Sequence, residues 1–210
     1  MKKSALTIAA SLFFSAFTMA VVPQVNGNGQ GSDDNSDATH GVSIQIQTLA
    51  LVDIESIQGG EADVINLSPT ISSLEAGEAV DFSTATNSDL WLNYTSIVGA
   101  NGNGNGHGNN QREITVELNN DNALPKGVSL LVSAGDISSG QGEKGSPVKS
   151  KIEIKKNPKT LISGIGSCFT ESGPNKGHRL TYELSMKNND YDKLLADTYD
   201  LVITYTITGN

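Results

Sequence analysis

The chain has 210 residues, with 14 basic side chains against 23 acidic ones and a single cysteine. A net charge of −9 with no basic cluster set against it repels a phosphate backbone and argues against nucleic acid as a partner. One cysteine cannot close an internal disulfide, so a buried core has to hold the fold.

Met1-Lys2-Lys3 precedes an apolar run from Ala5 to Ala20, with the small residues Thr18 and Ala20 at the −3 and −1 positions of a cleavage site. This pattern reads as an export signal over residues 1–20. The run is short for a spanning helix and Pro23 follows it, so the expected mature chain starts near Val21 and has no membrane span. No cysteine stands at the cleavage point, which sets aside a lipoprotein signal. The expected destination is the periplasm, the cell surface or the medium. Loss of Lys2 and Lys3 leaves 12 basic against 23 acidic residues, a net charge of −11.

Asn26 to His40 contains no apolar residue except Ala38 and cannot offset the entropy of ordering itself, so residues 21–41 read as a flexible leader. Asp33, Asn35 and Asp37 have the spacing of the first three ligands of a calcium loop. Ala38 stands where that loop needs glycine and Ile44 where it needs a bidentate glutamate, so solvated linker charge accounts for the run. Residues 42–210 are expected to form one domain, about 170 residues being enough to bury a core.

Within that domain Val42, Ile44 and Ile46 alternate with polar residues as a first strand, and Leu49, Leu51 and Ile54 follow out of step, as at a bulge. Ala62 to Leu67 is a short second strand after the Gly59-Gly60 turn, and Ala79 to Thr86 alternates again. Leu90, Leu92 and Tyr94 share one face of the next strand, and Trp91, Asn93 and Thr95 share the other. Trp91, the one tryptophan, is either a core anchor or an exposed stacking platform. The Asn- and Gly-rich run Gly99 to Gln111 is a loop in which His107 has no metal-ligating neighbour.

Glu113 to Asn119 and Val128 to Ala134 are strands. Gly140 to Gly145 matches G-x-G-x-x-G, but Ser146-Pro147 follows where a dinucleotide-binding helix should begin, so the run reads as a hairpin loop. Lys151 to Lys155 has the lysine-flanked pattern of an edge strand. A strand from Thr160 to Gly166 leads into a long loop, Ser167 to Gly177, which holds Cys168 and Phe169. Cys168 reads as a buried inert thiol or as the site of a covalent dimer. Leu180 to Met186 is the penultimate strand, Tyr191 to Ala196 a helical turn, and Tyr199 to Thr208 a regular final strand expected to pair with the penultimate one. Nine or ten strands separated by Gly, Asn and Pro turns, without an amphipathic helix, predict an all-β antiparallel β-sandwich of Ig-like, Greek-key type, with a jelly roll as the alternative.

Two segments carry a resemblance. Asn87 to Ser96 (NSDLWLNYTS), and Ile162 to Leu184 (ISGIGSCFTESGPNKGHRLTYEL) ahead of the terminal VITYTIT, resemble exported β-rich proteins of Gram-negative bacteria of the Bacteroidota type. The likeness spans the chain from Val42 onward; it implies export and a β-rich fold, and no catalytic assignment comes with it. More loosely, the signal, the aromatic-poor domain and the Tyr-Thr-rich last strand are similar to fimbrial subunits and spore-coat-U-like proteins. The cysteine pair of many chaperone-usher pilins is absent.

For function, the chain has no G-x-S-x-G elbow, no H-E-x-x-H and no Cys-x-x-Cys. Cys168 and His178 are close enough in sequence to form a thiolate pair. The expectation is nonetheless a non-catalytic structural or adhesive surface protein without a cofactor or metal, which associates with itself or another envelope protein by strand addition through Val42 to Gln47. The alternative is a module binding carbohydrate or another small ligand, with Trp91, Phe169 and Tyr191 as candidate contacts.

Overall fold

A computed structural model describes residues 40–58, 64–72, 74–100, 110–119, 124–186 and 188–208. The export signal, the leader up to residue 39 with its Asp33, Asn35 and Asp37, and His107 lie outside the described residues. The chain divides into a unit Met1–Ile44, of which the described part carries no strand, and a unit Gln45–Asn210, which contains every strand among the described residues.

The second unit is all-β. Its strands are β1 (Leu49–Ser56), β2 (Thr86–Ile97), β3 (Arg112–Leu118), β4 (Val128–Ala134), β5 (Gln141–Pro147), β6 (Ile152–Glu153), β7 (Lys159–Phe169), β8 (His178–Met186) and β9 (Ile203–Ile207). They form one nine-stranded antiparallel sheet that does not close on itself. The path runs β6-β4-β8-β2-β7-β3-β9, with β1 added to β2 and β5 added to β7. Two 3-10 turns, Phe82–Thr84 and Asn188–Lys193, are the only helical elements among the described residues. None is long and apolar enough to cross a membrane.

The alternation in β3 works as the period predicts: Ile114, Val116 and Leu118 are buried, and Glu113, Thr115 and Glu117 are half-buried between them. Leu130 and Val132 of β4, and Leu180 and Tyr182 of β8, enter the same core with Leu161, Ile162 and Ile165 of β7. β2 departs from simple alternation. Leu90 to Tyr94 are all buried, so both faces of this strand are covered. Its two edges are filled as well: β1 lies along one from Leu90 to Ile97, while β8 and then β7 share the other.

Several sequence expectations change. Val42 to Ile46 is not a strand: residues 41–48 make no ladder, and Val42, Ile44 and Ile46 are 75%, 82% and 77% exposed. Alternation prepares a segment for a sheet, but a ladder also needs a partner strand, and the β1–β2 ladder ends at Leu49↔Ile97, the last residue of β2, so the residues before Leu49 have no β2 residue opposite them. Ala79 to Thr86 holds a 3-10 turn, with Asp81 accepting from the Ser83 amide at 2.9 Å. The described residues 64–67 of the expected second strand form no strand.

The expected glycine hairpin loop is the strand β5, fitted against β7. Gly140, Gly142 and Gly145 have φ of +72°, +87° and +73°, and a Cβ on them would stand 1.9 to 2.4 Å from the carbonyl oxygens of Phe169, Ser167 and Ser163. Only glycine allows this backbone-on-backbone approach. β7 consequently runs on to Phe169, through residues expected to lie in a loop. The final strand pairs with β3 instead of the penultimate strand, in a register from Ile114↔Ile207 to Leu118↔Ile203. Both edges of β8 are already filled by β4 and β2, which leaves β9 to close the other end of the path.

Candidate functional site

The three aromatic candidates do not converge. Trp91 is 5% exposed and lines neither of the grooves described below. Its strand partners are Glu55 of β1 and Arg179 of β8, and the Arg179 guanidinium carbon stands 5.5 Å from the ring centroid while its Nε donates to the Ser88 carbonyl at 2.8 Å. Trp91 is thus a covered outer-face anchor with a cation over its ring.

Phe169, the last residue of β7, is 43% exposed. It lines a shallow groove of about 270 Å³ with Leu51, Val52, Asp53, Tyr94 and Glu171. Leu51 is 57% exposed, so the groove offers an aliphatic and an aromatic wall with two carboxylates at its margin. Glu171 is ion-paired with Lys176, and that bond, with an amide hydrogen bond from Gly140, holds its carboxyl below the usual range. Tyr191 lies elsewhere, in the 3-10 turn Asn188–Lys193. It borders a second groove with Val80, Phe82, Ser83 and Met186.

A polar centre that sequence reading missed lies inside the core. His178, which lies between the expected loop Ser167 to Gly177 and the expected strand Leu180 to Met186, is fully buried at the start of β8. Its Nδ1 donates to the Gly135 carbonyl at 2.7 Å, and its Nε2 stands 2.9 Å from the Tyr94 hydroxyl, which also reaches the Lys144 carbonyl. With Nδ1 protonated, the neutral ring is an acceptor at Nε2, so the single hydroxyl proton of Tyr94 lies between two acceptors. The rings stack with centroids 5.8 Å apart. Burial lowers the basicity of His178; the Gly135 bond and Asp136 favour the charged ring, and Lys144 opposes it. A parity signal was present: His178, Leu180, Tyr182 and Leu184 share one face of β8.

Cys168 is buried in β7, and burial pushes its thiol up to about 11. Both ring nitrogens of His178 are engaged with Gly135 and Tyr94, so the geometry joins His178 to these partners and leaves Cys168 a protonated, poorly nucleophilic thiol. Among the described residues no group of three or more His, Cys, Asp or Glu is placed to hold a metal ion.

Thr170, fully buried just after β7, donates its amide to the Tyr94 carbonyl at 3.1 Å and accepts from the Tyr94 amide at 3.0 Å, which continues the β2–β7 contact past the ladder. No protein-family model matches the chain, and no curated protein matches it.

Proposed function

We propose that this chain is a non-catalytic, exported structural or adhesive surface protein that associates by strand addition. The observation that carries the reading is the segment Val42 to Gln47. Its three apolar side chains alternate, are more than 70% exposed and have no ladder partner. A short, uncharged, alternating segment of this kind gains both backbone hydrogen bonds and apolar burial when it joins the edge of another sheet. The chemistry of the interior supports the same reading, since His178 and Cys168, the residues best suited to catalysis, serve packing and internal hydrogen bonds.

We read the sheet further as folded into two layers, β6-β4-β8-β2-β1 and β9-β3-β7-β5, an antiparallel sandwich for which a jelly roll is the alternative topology. Support comes from the Tyr182 and Tyr205 hydroxyls, 2.6 Å apart although β8 and β9 share no ladder. One core also draws Leu130 and Tyr182 from the first set and Val116 and Leu161 from the second. Ring-proton cross-peaks between Tyr182 and Tyr205 in an NMR spectrum test the arrangement, and their absence rules it out.

Analytical ultracentrifugation of the mature protein over a wide concentration range tests association, with a concentration-dependent series of oligomers expected. A strict monomer that no other envelope component retains refutes it. The groove beside Phe169 favours a second reading, a binding module for carbohydrate or another small ligand, because an exposed ring next to carboxylates suits a sugar face and its hydroxyls. A rise in melting temperature with a member of a glycan panel, lost in Phe169→Ala, selects that reading.

A further inference from the structure

We infer that the outer edge of β9 is the acceptor for Val42 to Gln47 of a second copy of the chain; this inference rests on the strand-addition reading above. The Asn119 amide donates to the Val202 carbonyl at 3.0 Å, and the Thr208 amide to the Glu113 carbonyl at 2.9 Å. In an antiparallel ladder with this register, residues 202, 204, 206 and 208 turn their backbone groups toward β3. The amides and carbonyls of Ile203, Tyr205 and Ile207 therefore point away from it, toward an edge on which no strand forms a ladder among the described residues. β1 comes near β9 but forms no ladder with it, so this edge has no strand partner among the described residues.

What distinguishes β9 from the other edge strands is its lack of protection. β6 is two residues long and lies between Lys151 and Lys155. β5 contains Pro147, a register shift after Gly142 and glycines at positive φ. β1 carries Asp53, whose carboxylate accepts the Ile54 amide at 2.9 Å and so occupies an outward donor. Each of these devices blocks edge-to-edge pairing. Leu201 to Thr208, by contrast, contains no charge, proline or glycine.

The proposed occupant matches this edge. Val42, Ile44 and Ile46 repeat at the same two-residue period as Ile203, Tyr205 and Ile207, whose side chains are only half-buried against the core. An added strand lays its apolar row over theirs and completes their burial. Charge points the same way. Two copies of a chain with net charge −9 repel each other, and 42–47 and 201–208 are stretches in which neither partner brings a charge to the contact.

The test uses the full mature chain in a Cys168→Ala background. Chains carrying Ser43→Cys, Gln45→Cys or Gln47→Cys are each mixed with chains carrying Thr206→Cys and oxidised, and a disulfide between the two kinds of chain is expected. Separately, deletion of 40–47 and the substitution Ile207→Pro, which removes an amide that the β3 ladder does not use, should each abolish the oligomers seen for the parent. Circular dichroism confirms that both variants remain folded. Oligomers lost on deletion but kept by a folded Ile207→Pro protein, without mixed disulfides, overturn β9 as the acceptor while strand addition stands. Disulfides only between two Thr206→Cys chains overturn it as well. A parent that stays monomeric overturns both this inference and the reading on which it rests.

Discussion

At the scale of single residues, the buried pair of Tyr94 and His178 has the clearest consequence for stability. Burial, the largest influence on His178, favours its neutral ring. Its basicity in the folded chain lies below that of the unfolded chain, where a histidine titrates near 6.5. The stability this group contributes is therefore complete above about pH 6.5, where both states are neutral. It falls as the pH drops below that value, because the unfolded chain takes up the proton first, and the loss stops once the folded ring titrates too. Urea unfolding between pH 7.5 and 5 should show this decline, with a slope of at most about 1.4 kcal/mol per pH unit from this group. A folded His178→Gln variant should show a flatter profile. A second residue-scale expectation concerns Trp91. Truncating the cover in Arg179→Ala should shift the tryptophan emission to longer wavelength and lower the stability by about 1 kcal/mol or less. An unchanged spectrum would mean that the indole is covered by something other than Arg179.

Among the elements, what could be read from sequence and what could not divides on a physical line. β3 and β8 were legible because Ile114, Val116 and Leu118, and Leu180, Tyr182 and Leu184, alternate with polar residues on strands that have one core face. β5 was not, since glycine has no side chain with which to mark a period, and its strand geometry depends on how closely β7 approaches. Phe169 was expected in a loop for a related reason: Ser167 and Thr170 to Gly173 look like turn formers until the pairing with Gln141 extends β7 to that point. Partner choice was least legible, because period gives the face of a strand and never its neighbour, which is how β9 was expected on β8 and is found on β3. The candidate site shared that limit. Its aromatic members were visible one by one, but that Trp91, Phe169 and Tyr191 lie apart, while Tyr94 and His178 meet across 84 positions of sequence, follows only from the ladders. The glycine fit of β5 gives a prediction of its own. Gly142→Ala, with a Cβ driven to 2.2 Å from the Ser167 carbonyl, should cost about 1–3 kcal/mol. Hydrogen exchange should accelerate first along β5 and the facing part of β7, and a loss of protection spread evenly over the sheet would show that β5 is not a separately docked strand.

For the molecule as a whole, the order of the strands in the sheet bears on how the chain can fold. Apart from β1 with β2, no two consecutive strands pair, and even those two are separated by the stretch from Ile57 to Ala85. β2 must find β8, β3 must find β9, and β4 must find β8, so most of the ladder hydrogen bonds close over long loops whose entropy is lost before the contacts form. Among the described residues no tight hairpin is available as a local nucleus. Refolding from urea should accordingly be slow for a domain of this size, in the range of milliseconds to seconds or longer, and stopped-flow tryptophan fluorescence of Trp91 reports it directly. A submillisecond phase carrying the full amplitude would contradict this account. The same topology means that Ile114, Val116 and Leu118 have no cover on one edge until Ile203 to Ile207 exist. The sheet cannot reach its native form until residues 203–207 have been made, and up to that point the polypeptide remains an unfinished, extensible thread.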